Sequence, residues 1–239
     1  MNCIRILSLL FSFFTANLFA QHLVVGTIDA DPPFEFQDET NNLSGFDIDV
    51  MHELCKRTGS ECTFKIFKFY QLFGALERGE IDLAIAAIII TPERRKQLLF
   101  SLPYKDNNQQ FLTLSASNLR DSSQLNGKKI GIYKGAPEET FVYNRFKGNV
   151  NIKLYDNVDD LVDALRMKQV DAIVLEYDRA LFWLSTTNDF KLLGRKFCAG
   201  DGYGIAARLG RESLIQQINS ALERMENDGT YLYIYDLYF

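Results

Sequence analysis

Histidine is nearly absent from this chain: His22 and His52 are the only two in 239 residues. They sit at the expected processed terminus and on the flank of an expected helix, and no HExxH, Cys-rich metal cluster, GxSxG or phosphate-cradling glycine motif occurs, so metal, hydrolase and nucleotide chemistry have no support. No metal site and no cofactor are expected. Positive charge is also scarce, with 26 Lys and Arg against 31 Asp and Glu and a net charge of −5. Such a chain repels nucleic acid. Long apolar runs are limited to the N terminus, and no later segment is long enough to span a bilayer.

That first segment has the anatomy of a processing signal: Arg5 at the basic end, the apolar stretch Ile6 to Phe19, and Ala20 ahead of Gln21. Ser12, Thr15 and Asn17 interrupt the run, which favours a cleaved peptide over a permanent span. The sequence thus predicts an exported protein cut near Ala20, although Leu18 is large for a cut site. Removing residues 1–20 takes away one basic residue, leaving 25 Lys and Arg against 31 acids, or −6. The remaining 239 − 20 = 219 residues are long for one lobe and suit two of about 100 each.

Cysteine is sparse, and after cleavage the number is odd: Cys55, Cys62 and Cys198. Cys55 and Cys62 flank KRTGSE, with Gly59 where a helix would end. In an oxidising compartment this pair is expected to close, the alternative being two buried thiols. Cys198 reads as a small buried hydrophobe.

Apolar spacing then gives the organisation. A short strand at Leu23–Thr27 leads through a turn-rich segment to a helix with Phe46, Val50, Met51 and Leu54 on one face. A strand at Phe64–Phe67, a helix with Phe69, Leu72, Phe73 and Leu76, and an apolar strand over Ile81–Ile90 complete a first cycle. A second begins at Lys129–Tyr133 and runs through a strand at Ile152–Tyr155, a helix with Val158, Leu161, Val162 and Leu165, a strand at Asp171–Glu176 and a helix over Tyr177–Leu184. The tail holds a strand at Tyr203–Ala207 and a long helix with Leu214, Ile218, Leu222 and Met225 on one face. Alternation of this kind predicts an α/β protein with covered sheets. The tail is too short for a domain and is expected to return to the first lobe. Two chain crossings follow, near 106–111 and 193–199, giving a hinge with a ligand cleft beside it. The lobes are then 21–107 with 198–239, and 108–197.

The segment TPERR at Thr91–Arg95 carries the chemistry. Thr91 reads as a helix cap and Pro92 as the first helical residue, with Arg94 on the opening turn. Free amides and a guanidinium converging there would make a socket for a small carboxylate. Arg95, one position on, should point elsewhere.

With these segments in view, the chain resembles the periplasmic solute-binding proteins of bacterial ABC importers, in the family that binds polar amino acids. The resemblance is carried by PPFEF, LSGFDIDV at Leu43–Val50, IDLAIAAIIITPERRKQLLFSLPY at Ile81–Tyr104, LNGKKIGIYKG at Leu125–Gly135, and YGIA with NDGTYLYI. The spacing of Cys55 and Cys62 is similar to the disulfide loop of the histidine and lysine/arginine/ornithine members. What this implies is a type II-like two-lobed fold that closes on a small amino acid, and periplasmic delivery to an ABC permease by a monomer. Arg94 would grip the α-carboxylate beside Thr91, Glu176 would accept the α-ammonium where the family usually has aspartate, Phe69 would line the cleft, and Gly135 would match a second-lobe glycine.

Several positions depart from the family pattern. Ile89 and Ala87 replace small or hydroxyl residues, Ala136 and Pro137 stand for two threonines, and Asp31 replaces an aromatic. Asp29, Asp31 and Glu35 crowd one wall and Glu138 and Glu139 the other, which favours a cationic ligand such as arginine, lysine or ornithine. Phe69 would stack on such a ligand or serve as core. Two rival readings share the fold: a secreted cyclohexadienyl (arogenate or prephenate) dehydratase using Glu176 as an acid, and a soluble amino-acid sensor. The first lacks a second acid–base group in the sequence. The second would ordinarily be fused to a membrane receptor.

Overall fold

The computed structural model describes residues 21–38 and 42–239; the processing signal expected at residues 1–20 lies outside them. Strand β1 (His22–Thr27) leads into three short strands, β2 (Ala30–Asp31), β3 (Glu35–Gln37) and β4 (Leu43–Ser44). Helix α1 (Phe46–Thr58), β5 (Glu61–Ile66), α2 (Phe69–Glu77), β6 (Leu83–Ala84), α3 (Pro92–Arg95) and β7 (Leu98–Phe100) follow. Next come β8 (Asn108–Leu114), a 3-10 turn at Ser122–Leu125, β9 (Lys129–Tyr133), α4 (Glu138–Arg145), β10 (Asn151–Tyr155), α5 (Val158–Arg166), β11 (Ala172–Glu176), α6 (Tyr177–Thr186) and β12 (Phe190–Cys198). The chain closes with β13 (Ala206–Arg208), α7 (Glu212–Asn227) and α8 (Thr230–Tyr235).

Ten of these strands build two mixed five-stranded sheets, ordered β5-β1-β6-β13-β7 and β10-β9-β11-β8-β12, and β2, β3 and β4 form a small third sheet. Each five-stranded sheet is the spine of one lobe. Strand β1 runs parallel to β5 and β6, and β9 runs parallel to β10 and β11, as crossover helices require. Helices cover both faces, so each sheet has a separate apolar cluster on either side. The chain enters the second sheet at β8 and returns to the first at β13, after Tyr203 has bridged both Ile89 and Lys105.

Local signals explain the elements. Gly59 ends α1 at φ 67, a left-handed conformation that glycine adopts without steric cost. Asn157 opens α5 by accepting the Asp160 N–H, and the apolar positions Val158, Leu161, Val162 and Leu165 are all buried. Cys55 and Cys62 are joined, tying the end of α1 to β5. The tail packs on the first lobe: α7 buries Leu214, Ile218 and Leu222, while Tyr231, Tyr235 and Phe239 pack around Phe46. Among the described residues no helix is long and apolar enough to cross a membrane.

Three expectations need correction. The apolar run Ile81–Ile90 is strand only at Leu83–Ala84, because Ala87 takes φ 43 and the Asp47 carboxylate accepts its N–H at 2.7 Å, turning the chain off the sheet. The tail strand starts at Ala206, with Tyr203 reduced to isolated bridges. Cys198 is exposed rather than buried, since β12 is the edge of its sheet and the residue lies at its end, opposite Asn108.

Candidate functional site

The facing surfaces of the lobes hold most of the buried charge. Thr91 caps the short helix α3, its hydroxyl accepting the Arg94 N–H at 3.2 Å, with Pro92 at the first helical position. This anchors Arg94 on the first lobe. Its guanidinium donates to the Ile89 carbonyl at 2.6 Å and across the gap to the Gly135 carbonyl at 2.9 Å, and lies 4.7 Å from the Phe73 ring centre. Burial lowers the Arg94 pKa to about 10, which leaves it charged at neutral pH. With four residues, α3 supplies little helix dipole, and the Arg94 amide is already satisfied by Thr91, so the guanidinium and not a row of free amides dominates here.

Behind Arg94 lies an inner cavity of about 30 Å³, room for a water or two. It is lined from the first lobe by Asp31, Phe69, Ala87 and Ile89, and from the second by Ala136, Pro137, Glu138 and Glu176. A wider interlobe groove of about 470 Å³ opens on the other side, with Thr91, Arg94, Gly135 and Ala136 in its walls. Arg94 lines the groove and bonds to Ile89 of the cavity, so the expected constellation is divided between two spaces. Glu139 joins the groove. Asp29 is half-buried and lines neither. Phe69 is 4% exposed and packs in the first-lobe core, with the Arg94 guanidinium 5.7 Å from its ring.

Glu176, at the end of β11, has both oxygens engaged. One accepts the Arg179 N–H at 2.9 Å and so caps α6; the other is 3.6 Å from the Lys105 ammonium. Burial raises its pKa to about 7 against the pull of Lys105. Asp31 bonds to the Arg179 guanidinium across the cleft; burial still raises Asp31 to about 7. Burial alone would lower Arg179, but Asp31 and other acids outweigh it and raise its pKa.

Deeper in the first lobe, Glu35 and Asp47 are fully buried neighbours. Burial and then the Asp47 charge push Glu35 well above the usual carboxylate range, and burial raises Asp47 as well, against the hydrogen bonds it accepts. Asp47 accepts from the Ala87 amide and the Tyr104 hydroxyl at 2.7 and 2.8 Å. It thereby fixes the cavity floor at Ala87. Glu138 begins α4, and its Oε2, like Asp31 Oδ1 and Arg179 Nε, is buried without a hydrogen-bond partner.

The profile of the family described as "Bacterial extracellular solute-binding proteins, family 3" matches residues 23–239. The chain belongs to that family. A crystal structure of an arginine transport system periplasmic binding protein from Legionella pneumophila superposes with a TM-score of 0.87 at 39% identity, covering 92% of this chain and all of that one. The ABC transporter arginine-binding protein 1 of Escherichia coli K12 is 30% identical over 97% of this chain and 96% of its own length. An L-cystine-binding protein of the same organism is 31% identical over 87% of this chain and 79% of its own. As a family 3 solute-binding protein, the chain has the type II two-lobed fold and is a solute binder.

Within this family 3 protein, sequence reasoning missed Arg179, Lys105 and Asp47. Asp47 sits in LSGFDIDV, and a carboxylate on the buried side of a helix was the available signal. Arg179 follows Glu176 by one helical turn, but only its partner, 148 residues away, makes it part of the cleft.

Proposed function

We propose that this protein binds a small polar amino acid with a cationic side chain between its lobes, in the periplasm, and hands it as a monomer to an ABC permease. The observation that carries this reading is the set of buried carboxylates, Asp31, Glu138 and Glu176, lining one cavity with Arg94 at its edge. A cation between two acidic walls removes their mutual repulsion. The arginine-binding relatives favour the same class.

In this reading Arg94 leaves the Gly135 carbonyl as the lobes part and pairs with the ligand α-carboxylate, whose planar shape suits a forked donor. Thr91 positions that helix, and Glu176 accepts the α-ammonium. Phe69 holds the Arg94 side chain from behind, and Ala87, Ile89 and Ala136 form apolar walls. The lobes are taken as 21–107 with 198–239 and as 108–197, hinged at the two crossings, after export with cleavage near Ala20. Calorimetry with the twenty amino acids and ornithine tests the proposal. It predicts tightest binding for arginine, lysine or ornithine; binding confined to acidic or aliphatic amino acids would contradict it.

A further inference from the structure

Arg179 stands where the side chain of a cationic ligand is expected. It rises from the first turn of α6 in the second lobe, is 7% exposed, and reaches the Asp31 carboxylate of the first lobe. Its guanidinium carbon lies 5.4 Å from the centre of the Phe34 ring. A guanidinium paired with a carboxylate over an aromatic face is how an arginine ligand side chain would itself be held. Both partners keep spare capacity: Asp31 Oδ1 and Arg179 Nε are buried and unpartnered.

We propose that Arg179 is a specificity-determining residue, a tethered guanidinium that occupies the Asp31 subsite in the unliganded protein and must be displaced before a ligand's cationic side chain can use it. The inference rests on the cationic-ligand reading above. Its physical basis is competition. Asp31 is 1% exposed, so its charged form needs a counter-ion when the lobes are shut, and Arg179 meets that need from within the chain. A ligand cation then gains only the difference between its own pairing and that of Arg179, whereas a neutral ligand leaves the pair alone. Selectivity among amino acids is therefore set by the exchange and not by the acidic wall alone. Because the pair spans the lobes, it also holds the unliganded protein shut.

The test is Arg179→Met, which keeps the apolar stem and removes the charge. Binding of L-arginine, L-lysine and L-ornithine should tighten by about tenfold or more, since a charge-assisted competitor has been removed, while L-glutamine should change by less than about threefold. Small-angle scattering of the unliganded variant should show a larger radius of gyration than wild type. Unchanged or weaker binding of cationic ligands, or an equal gain for glutamine, would overturn the proposal. If the lone buried acid prevents folding, the double variant Asp31→Asn/Arg179→Met removes both charges. It should fold, open, and lose the preference for cationic over neutral ligands; retention of wild-type selectivity would overturn the assignment. If no amino acid binds wild type or variant, the function proposed above is what fails. Scattering then decides only whether the Arg179–Asp31 pair holds the lobes shut: opening supports that part, and an unchanged profile overturns it.

Discussion

The guanidinium of Arg94, rooted on the first lobe, donates to the main-chain carbonyl of Gly135 on the second at 2.9 Å. One side chain thus touches both lobes, and its second prong holds Ile89 at 2.6 Å. Two neutral carbonyls are weaker acceptors than one carboxylate. A ligand carboxylate therefore replaces them as partner at a net gain.

Replacement of Arg94 by Ala should weaken every amino-acid ligand by about 2–3 kcal/mol, the worth of a charged hydrogen bond, while the protein still folds cooperatively. Calorimetry and thermal melting measure the two effects. Arg94→Lys should recover only part of the affinity, because an ammonium lacks the planar fork.

Stability of the unliganded protein should fall as pH rises from about 5 to about 8. Asp31 and Glu176 titrate near 7 when folded, raised chiefly by burial, against about 4 in an unfolded chain. Between those values the folded state binds more protons than the unfolded state. Stability is then fully present below about pH 4 and lost as pH climbs through 7, by at most about 4 kcal/mol for each carboxyl. Melting temperatures across this range check the sign, and Glu176→Gln should flatten the slope. A melting temperature that climbs from pH 5 to pH 8 would contradict it.

Loss of the Cys55–Cys62 bond should cost about 2.5 kcal/mol, from the entropy of an eight-residue loop. Denaturation with and without reductant measures it. In the native exported protein one thiol, the exposed Cys198, should react quickly; three reactive thiols would contradict the pairing.

Gly45→Ala should destabilise by about 2 kcal/mol or more. Gly45 has φ +128, and a Cβ there would lie 2.2 Å from the Phe34 carbonyl oxygen. The expected fall in melting temperature is about 4–8 °C for a protein of this size.

Periodicity made the helices over 46–58, 158–166 and 212–227 legible, because each buries one apolar face. Strand β8 was not legible. It opens on Asn108, Gln109 and Gln110, polar residues made acceptable inside by partners far along the chain: Gln109 donates to the Tyr203 hydroxyl and Gln110 to the Leu193 carbonyl. Thr91 and Arg94 could be read from TPERR because capping is local. Arg179 could not, since an arginine on a helix reads as solvated until Asp31 is brought against it. The run Ile81–Ile90 misled for the opposite reason: its composition suits a strand, but the contact from Asp47 to Ala87 bends it.

The most direct test is calorimetric titration of the exported protein with L-arginine, alongside Arg94→Ala under the same conditions. Saturable one-to-one binding to wild type, weakened about 30-fold or more in the variant, is the predicted result. Equal affinity for both proteins would contradict the account, whatever the ligand.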